Sequence, residues 1–304
     1  MCPLMDGFIN FYKVPGIPSN KALDTIKRAS GEKKAGFLGT LDPIAAGILP
    51  VGLGWATRLF PYFETLPKTY RATLILGSET DTQDGTGAVT REAPFAHVTK
   101  EVLEAAMEKF RGEIDQVPPM YSAKKVEGKR LYEIARSGGE VERKPKKVTI
   151  HKLELNEFNG TGAVLTATVS RGTYIRALCE DIGRAVNSAA HMGALIRIEA
   201  SNFKQEDSWT IERLEERRDH PEEWLLPLDY PIAFMPRLLV GGRDERLLSN
   251  GQQVMPAAPA EGLYRLYREE GGAFIGVGRV DKFTKRLMPE RLVPGGRPQR
   301  YGKL

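Results

Sequence analysis

Few side chains in this chain are arranged for chemistry, and the most pointed is Asp42, within Gly39-Thr40-Leu41-Asp42-Pro43. The following proline drives Asp42 out of the helical region, and the flanking glycines let another backbone or a ligand come close. A carboxylate held in such a turn can act as a nucleophile or stabilise developing positive charge, with an Asx-turn or a helix cap as the alternative use. Arg176 follows Ser170-Arg171-Gly172-Thr173-Tyr174 in what reads as the first turn of a helix. There the positive end of the helix dipole disfavours a cation unless an anion compensates. Glu180 lies four residues on, but base before acid is the weaker order, so an anionic partner elsewhere is expected. Tyr70 lies on the apolar face of an alternating stretch, as a core tyrosine or as a stacking platform. Tyr121, Lys124, Lys125, Arg130 and Tyr132 interleave aromatics with bases, which suits unstacked RNA bases as well as it suits a solvated basic helix.

Other chemistries find no support in the pattern. Gly52-Leu53-Gly54 lacks the third glycine of a dinucleotide loop, and neither a P-loop nor a G-x-S-x-G elbow is present, so no cofactor is expected. Cys2 and Cys179 are far apart and His97, His151, His191 and His220 are scattered, so neither a disulfide framework nor a zinc site is expected. No apolar run approaches the ~20 residues that span a bilayer. Met1 to Asp6 has neither a basic nor an apolar leader region, so a cytoplasmic, reducing location is expected. The formal net charge of +5 is unevenly spread. Residues 121 to 152 hold ten bases against four acids, residues 237 to 304 hold thirteen against seven, and the remainder is net negative. Separated basic segments suggest a polyanionic partner, with solvated charge as the alternative.

Periodicity supplies the elements that must position these residues. Gly7 to Lys13 reads as a strand, followed by a helix with Ser19 as N-cap and Ala22, Leu23, Ile26 and Ala29 on one face. A Gly-rich loop, Ala35 to Pro43, leads into a small-residue apolar segment, Ile44 to Thr57. Lys68 to Gly77 alternates, with Tyr70, Ala72, Leu74 and Leu76 on one face. Helices are expected over Thr99 to Phe110, around Gly128 to Ser137, and from about Thr173 to Val186. Strands are expected at Lys147 to Leu155, Gly162 to Ser170 and Ala194 to Phe203. The acidic stretch Glu206 to Glu223, with Pro227 to Pro236, reads as a boundary. Short strands at Leu263 to Tyr267 and Phe274 to Val280 suggest a small β module beyond it. The order implies an α+β body with a β appendage.

Taken together, several stretches resemble the bacterial tRNA pseudouridine synthase B family, whose members isomerise the uridine at position 55 in the T-arm of tRNA. They are Lys34-Ala35-Gly36 with Gly39 to Pro43, Lys68-Thr69-Tyr70-Arg71-Ala72, Thr80-Asp81-Thr82-Gln83-Asp84, and Gln116 to Ala123. Gly128 to Glu133, Arg171-Gly172-Thr173-Tyr174-Ile175-Arg176 and Phe274 to Gly278 follow in family order. The resemblance implies a pseudouridine synthase catalytic domain over residues 1 to 236, built on a central, largely antiparallel mixed sheet flanked by helices and loops. A small PUA-like β domain over 237 to 304 would follow. It implies that Asp42 is the essential carboxylate, attacking ribose C1′ or uracil C6, that Arg176 pairs with it, and that Tyr70 stacks on the flipped base. Tyr174 and Leu195 would line the base pocket, and Lys13 would organise its floor. Lys124, Lys125, Lys129, Arg130 and Tyr132 would grip the T-arm.

The chain departs from the family pattern at Phe37, where histidine is usual, and at Tyr12 and Val14, which replace Asp and Pro around Lys13. A ring at Phe37 can still fill space or stack on displaced bases. Segments 78 to 98 and 121 to 152 look like the bacterial insertions, and no basic extension follows Leu304. A monomer acting on tRNA without guide RNA or an obligatory protein partner is therefore expected. A module that binds and refolds tRNA, with catalysis secondary, is the competing reading.

Overall fold

The structure, a computed structural model, describes residues 5–121, 125–126, 129–130, 141–257 and 260–295. Strands run in chain order as β1 (Gly7–Lys13), β2 (Ala35–Phe37), β3 (Ala46–Leu53), β4 (Lys68–Leu76), β5 (Ser78–Thr80), β6 (Val89–Glu92) and β7 (Gly112–Gln116). Next come β8 (Lys125–Val126), β9 (Lys129–Arg130), β10 (Lys146–Phe158), β11 (Gly162–Val169), β12 (Ala190–Ala200) and β13 (Phe203–Lys204). The last four are β14 (Arg237–Val240), β15 (Gly262–Arg268), β16 (Phe274–Val280) and β17 (Leu287–Leu292).

A nine-stranded sheet in the order β1-β3-β12-β4-β11-β10-β7 forms the body, with β2 added on β3 and β13 on β12. Its pairings are antiparallel except β12 against β3, which gives the mixed, largely antiparallel sheet of an α+β fold. On β4 the alternation of Ala72, Leu74 and Leu76 inward with Arg71 and Ile75 outward is the period-2 pattern of a half-buried strand. Ala163, Leu165, Ala167 and Val169 of β11 continue the same apolar surface. Leu178 and Ile182 of the helix Ile175–Ala185 and Leu103 and Met107 of the helix Lys100–Met107 cover it.

β3 is buried at every residue, because Ile48 packs into one core cluster while Leu49, Val51 and Leu53 pack into another. A strand covered on both faces has no alternation to read. Gly47 there has φ +104°, and a Cβ on it would lie 2.3 Å from the Arg197 carbonyl oxygen, so only glycine allows the parallel contact with β12. β12 starts at Ala190, four residues before the expected Ala194, and its register shifts between Met192 and Ala194, around Gly193. It ends at Ala200. Ser201, with φ +59°, turns the chain so that Phe203 pairs back on Ala200 instead of extending the strand.

The acidic stretch is part of the body. Trp209 and Leu226 exchange backbone hydrogen bonds with β1, at Asn10, Tyr12 and Phe8, and so cover the open edge of an edge strand. Short helices at Ile211–Glu216 and Pro221–Trp224 then bury Leu214 and Trp224 against Ile9, Phe11 and Leu23. The β14-β15-β16-β17 sheet follows, and the appendage is not β alone, since the helix Gly242–Ser249 buries Leu248 against it. Tyr267, Phe274 and Val277 of this sheet share a cluster with Phe8, Phe203 and Ile232 of the body.

In the basic segment, Lys125 pairs with Arg130 and Val126 with Lys129 as an antiparallel hairpin, so the helix expected from Gly128 does not hold at residues 129–130. Lys124 and Tyr132 lie outside the described residues. No helix among the described residues is long and apolar enough to cross a membrane.

Because Trp224 is almost fully buried and its indole N–H donates to Arg217 O at 3.0 Å, Trp224→Ala should cost about 3–5 kcal/mol in chemical denaturation. A loss below ~1 kcal/mol would count against the acidic stretch as part of the body.

Candidate active site

The core face of β4 and β12 stays open at one end, and a cleft of about 410 Å³ lies there. Tyr70 pairs with Arg197 across the two strands, and Ala72 with Leu195. Tyr70, Leu195 and Arg197 therefore enter the cleft from neighbouring strands, Lys68 joins them two residues before Tyr70, and Tyr174 and Arg176 enter from the start of the helix Ile175–Ala185. Asp42 arrives on the loop after β2, which runs along the flank of β3 beyond the short contact with β12.

The Asp42 loop is held by its main chain. Ser19 is not the N-cap of its helix, since Pro18 occupies that position; its hydroxyl donates to Leu41 O at 2.9 Å and accepts from Leu41 N–H at 3.0 Å. The fully buried Lys13 donates through Nζ to Val14 O, Ile17 O and Pro43 O at 3.0, 2.8 and 3.3 Å. Arg197 donates through Nε to Ile48 O at 2.6 Å and through Nη2 to Gly39 O at 2.9 Å. These bonds leave the Asp42 carboxylate free to face the cleft.

Arg176 meets its anion across the cleft: its Nε lies 3.0 Å from Asp42 Oδ2. Glu180 is taken by Arg184 at 2.8 Å and by Gln83 at 3.1 Å, so the local i,i+4 pair with Arg176 does not form. The rest of the guanidinium donates to Thr82 O and Tyr121 O, both at 2.8 Å, and lies 3.8 Å from the buried Asp84. Gln116 fixes the helix start by bonding both the N–H and the C=O of Tyr174, at 2.8 and 3.0 Å. Sequence reasoning did not single out Ser19, Asp84 or Gln116. Asp84 and Gln116 lie within the motif stretches that carry the family resemblance, whereas Ser19 has only a capping signal.

Burial pushes the Asp42 carboxyl above the ordinary aspartate range; Arg176 works against that rise and Asp84 adds to it. Burial lowers the Lys13 ammonium to about 8, with Asp42 opposing the drop. Lys68 is likewise lowered to about 8 by burial and by the neighbouring Arg197 and Arg171. Phe37 stands outside the cleft lining, half-buried on β2 against the cluster that holds Ile9 and Leu23. The cleft therefore offers a carboxylate backed by an arginine at Asp42 and Arg176, a tyrosine ring and an apolar leucine wall. That set suits an unstacked aromatic base and nucleophilic or electrostatic work at its sugar.

Comparison with known proteins agrees with this reading. Residues 27–175 match the TruB family pseudouridylate synthase N-terminal domain and residues 176–233 the tRNA pseudouridylate synthase B C-terminal domain. Residues 245–293 match a further C-terminal model of pseudouridine synthase II TruB. The tRNA pseudouridine synthase B of Methylobacillus flagellatus is 42% identical over 95% of each chain, and that of an Azoarcus species 40% identical over 95% of each. Among solved structures, a Cbf5-Nop10-Gar1 complex superposes with a TM-score of 0.72 at 23% identity, covering 98% of this chain and 87% of the other, which establishes the fold. On these matches, and on a fold that carries the expected sheet and cleft, the chain belongs to the TruB family of pseudouridylate synthases.

Proposed function

We propose that this chain isomerises uridine to pseudouridine in tRNA, at position 55 of the T-arm. The observation that carries this reading is the Asp42 carboxylate, 3.0 Å from Arg176, in a cleft walled by Tyr70 and Leu195. The reaction breaks the N1–C1′ bond, turns the base, forms the C5–C1′ bond and releases the C5 proton, while N1 takes up a proton. Asp42 serves as nucleophile, at C1′ or at C6, and Arg176 holds it ionised against the desolvation of the cleft. The target base must leave its stack to reach Asp42, and the ring of Tyr70 then stacks on it, with Tyr174 and Leu195 closing the pocket. Lys13 acts from beneath, through Pro43 O. Phe37, next in sequence to Leu38 of the cleft lining, fills space or stacks on displaced bases.

We assign residues 1–236 to the catalytic unit and 237–304 to a PUA-like module. The protein works as a cytoplasmic monomer without a protein partner. The hairpin at Lys125, Lys129 and Arg130, with Lys124 and Tyr132 beside it in sequence, grips the T-arm backbone. The relatives named tRNA pseudouridine synthase B, matched along 95% of their length, support this substrate.

Since isomerisation leaves mass unchanged, the assay is tritium release from 5-tritiated uridine in a T-arm stem-loop. Asp42→Asn should lower release by more than about a thousandfold, ~4 kcal/mol on the barrier. Release equal to that of the unaltered protein would end the assignment of Asp42.

The acid limb of kcat/KM should lie above the ~3.9 of an ordinary aspartate, because kcat/KM needs the ionised carboxylate and burial raises its pKa. Arg176→Gln removes the influence that lowers that pKa, so the limb should move to higher pH. A limb that stays in place or moves down would separate Arg176 from the ionisation of Asp42.

Reversing the charges at Lys125, Lys129 and Arg130 together should weaken tRNA binding. It should also flatten the salt dependence by about one unit of slope for each phosphate that the hairpin no longer neutralises. An unchanged slope would place the hairpin outside the interface.

A further inference from the structure

At the end of the cleft away from Arg176, three cations converge with little to neutralise them. Lys68 on β4 and Arg197 on β12 are 8% and 0% exposed, and Arg171 reaches the same cleft from the loop before the helix Ile175–Ala185. Lys68 and Arg197 are close packed: a Cβ placed on Gly39 would stand 3.0 Å from Arg197 Nη1 and 3.2 Å from Lys68 Cε. Glu64 is the acid among the lining residues at this corner, and it pairs at 2.7 Å with Arg171, the exposed member of the trio.

The hydrogen-bonding capacity here is incompletely used. Arg197 spends Nε and Nη2 on the carbonyls of Ile48, Leu38 and Gly39, and its buried Nη1 has no partner among the described residues. Lys68 Nζ donates to Glu64 O and Leu66 O at 3.3 and 3.5 Å, longer than a strong ammonium bond. Glu64, already paired with Arg171, offsets the buried charge of Lys68 in part, and its lowered ammonium expresses the cost that remains. An anion entering the cleft would remove it.

Lys68 precedes Tyr70 by two residues on one strand face, about 7 Å along the strand. A nucleoside whose base lies on Tyr70 and whose sugar faces Asp42 therefore brings its own backbone towards Lys68. We infer that Lys68, backed by the field of Arg197 and by Arg171 at the rim, binds a phosphodiester adjoining the target uridine. The inference rests on the proposed reading of the cleft as a nucleoside site and adds the group that anchors the flipped nucleotide.

The test is a cycle between protein and RNA. T-arm stem-loops carry an uncharged methylphosphonate in place of the phosphodiester on the 5′ or the 3′ side of the target uridine, and binding is measured to the Asp42→Asn protein. One of the two substitutions should weaken binding by about tenfold. Lys68→Met added to that protein should weaken binding of the unmodified RNA to a similar degree and then leave it insensitive to the methylphosphonate. Lys68→Arg should keep the sensitivity, and Arg171→Gln, at an exposed position, should reduce it in part. The inference is overturned if neither methylphosphonate weakens binding, a result that needs no Lys68 variant to fold. It is equally overturned if the penalties of Lys68→Met and the methylphosphonate multiply independently. Tritium release by the unaltered protein on unmodified RNA is read separately. Its absence would end the isomerase reading, whereas an additive cycle would end the phosphate contact alone.

Discussion

A carboxylate that must stay charged where burial strips its water is the constraint around which this molecule is arranged. Burial and Asp84 both raise Asp42, and Arg176 opposes them from 3.0 Å. Arg176 itself is nearly buried at the positive end of a helix, where a lone cation would be unfavourable. Each member of the pair would be costly alone, and each offsets part of the cost of the other. The carbonyls of Thr82 and Tyr121 complete the guanidinium, so its orientation is set from three separate segments of chain.

The loop bearing Asp42 is fixed without using the carboxylate. Ser19, Lys13 and Arg197 all bond its main chain or that of its neighbours, from three elements distant in sequence. Fixing the backbone spares the side chain for chemistry, which is the purpose of preorganisation. The body and the C-terminal sheet share an apolar cluster, and Asp229 accepts from Tyr267 Oη and pairs with Arg265. Charge on that sheet is partly internal as well: Arg268 meets Glu245, Arg279 meets Glu290 and Lys285 meets Glu261. The excess of bases over residues 237 to 304 survives these pairings, since each takes one base and one acid.

What could be read along the chain follows from exposure on one side. β4, β11 and the helices Ser19–Ser30 and Lys100–Met107 each bury one face, so period 2 or 3.6 survives in their sequence. β3 buries both faces and left only a run of small apolar residues. β12 began earlier than its pattern suggested, because the irregularity at Gly193 breaks the alternation. The acidic stretch read as a boundary, since the edge it covers on β1 lies some two hundred residues away. Ser19 carried the signal of a cap, and nothing local could reveal that its hydroxyl serves Leu41.

Residue types and their order determined by themselves the family to which the chain is similar, the fold class, and the candidates Asp42, Tyr70 and Arg176, because turn chemistry and helix-end electrostatics are local. Tertiary structure alone decided which anion answers Arg176. Glu180 was the near choice in sequence, yet Arg184 and Gln83 take it, and the arginine turns to Asp42 and Asp84 instead. The gathering of Lys68, Arg171 and Arg197 at one corner was equally invisible, because strand register and a loop crossing bring them together. Charge–charge energies depend on distance and solvent exposure, and both are set by packing between elements that the sequence keeps far apart.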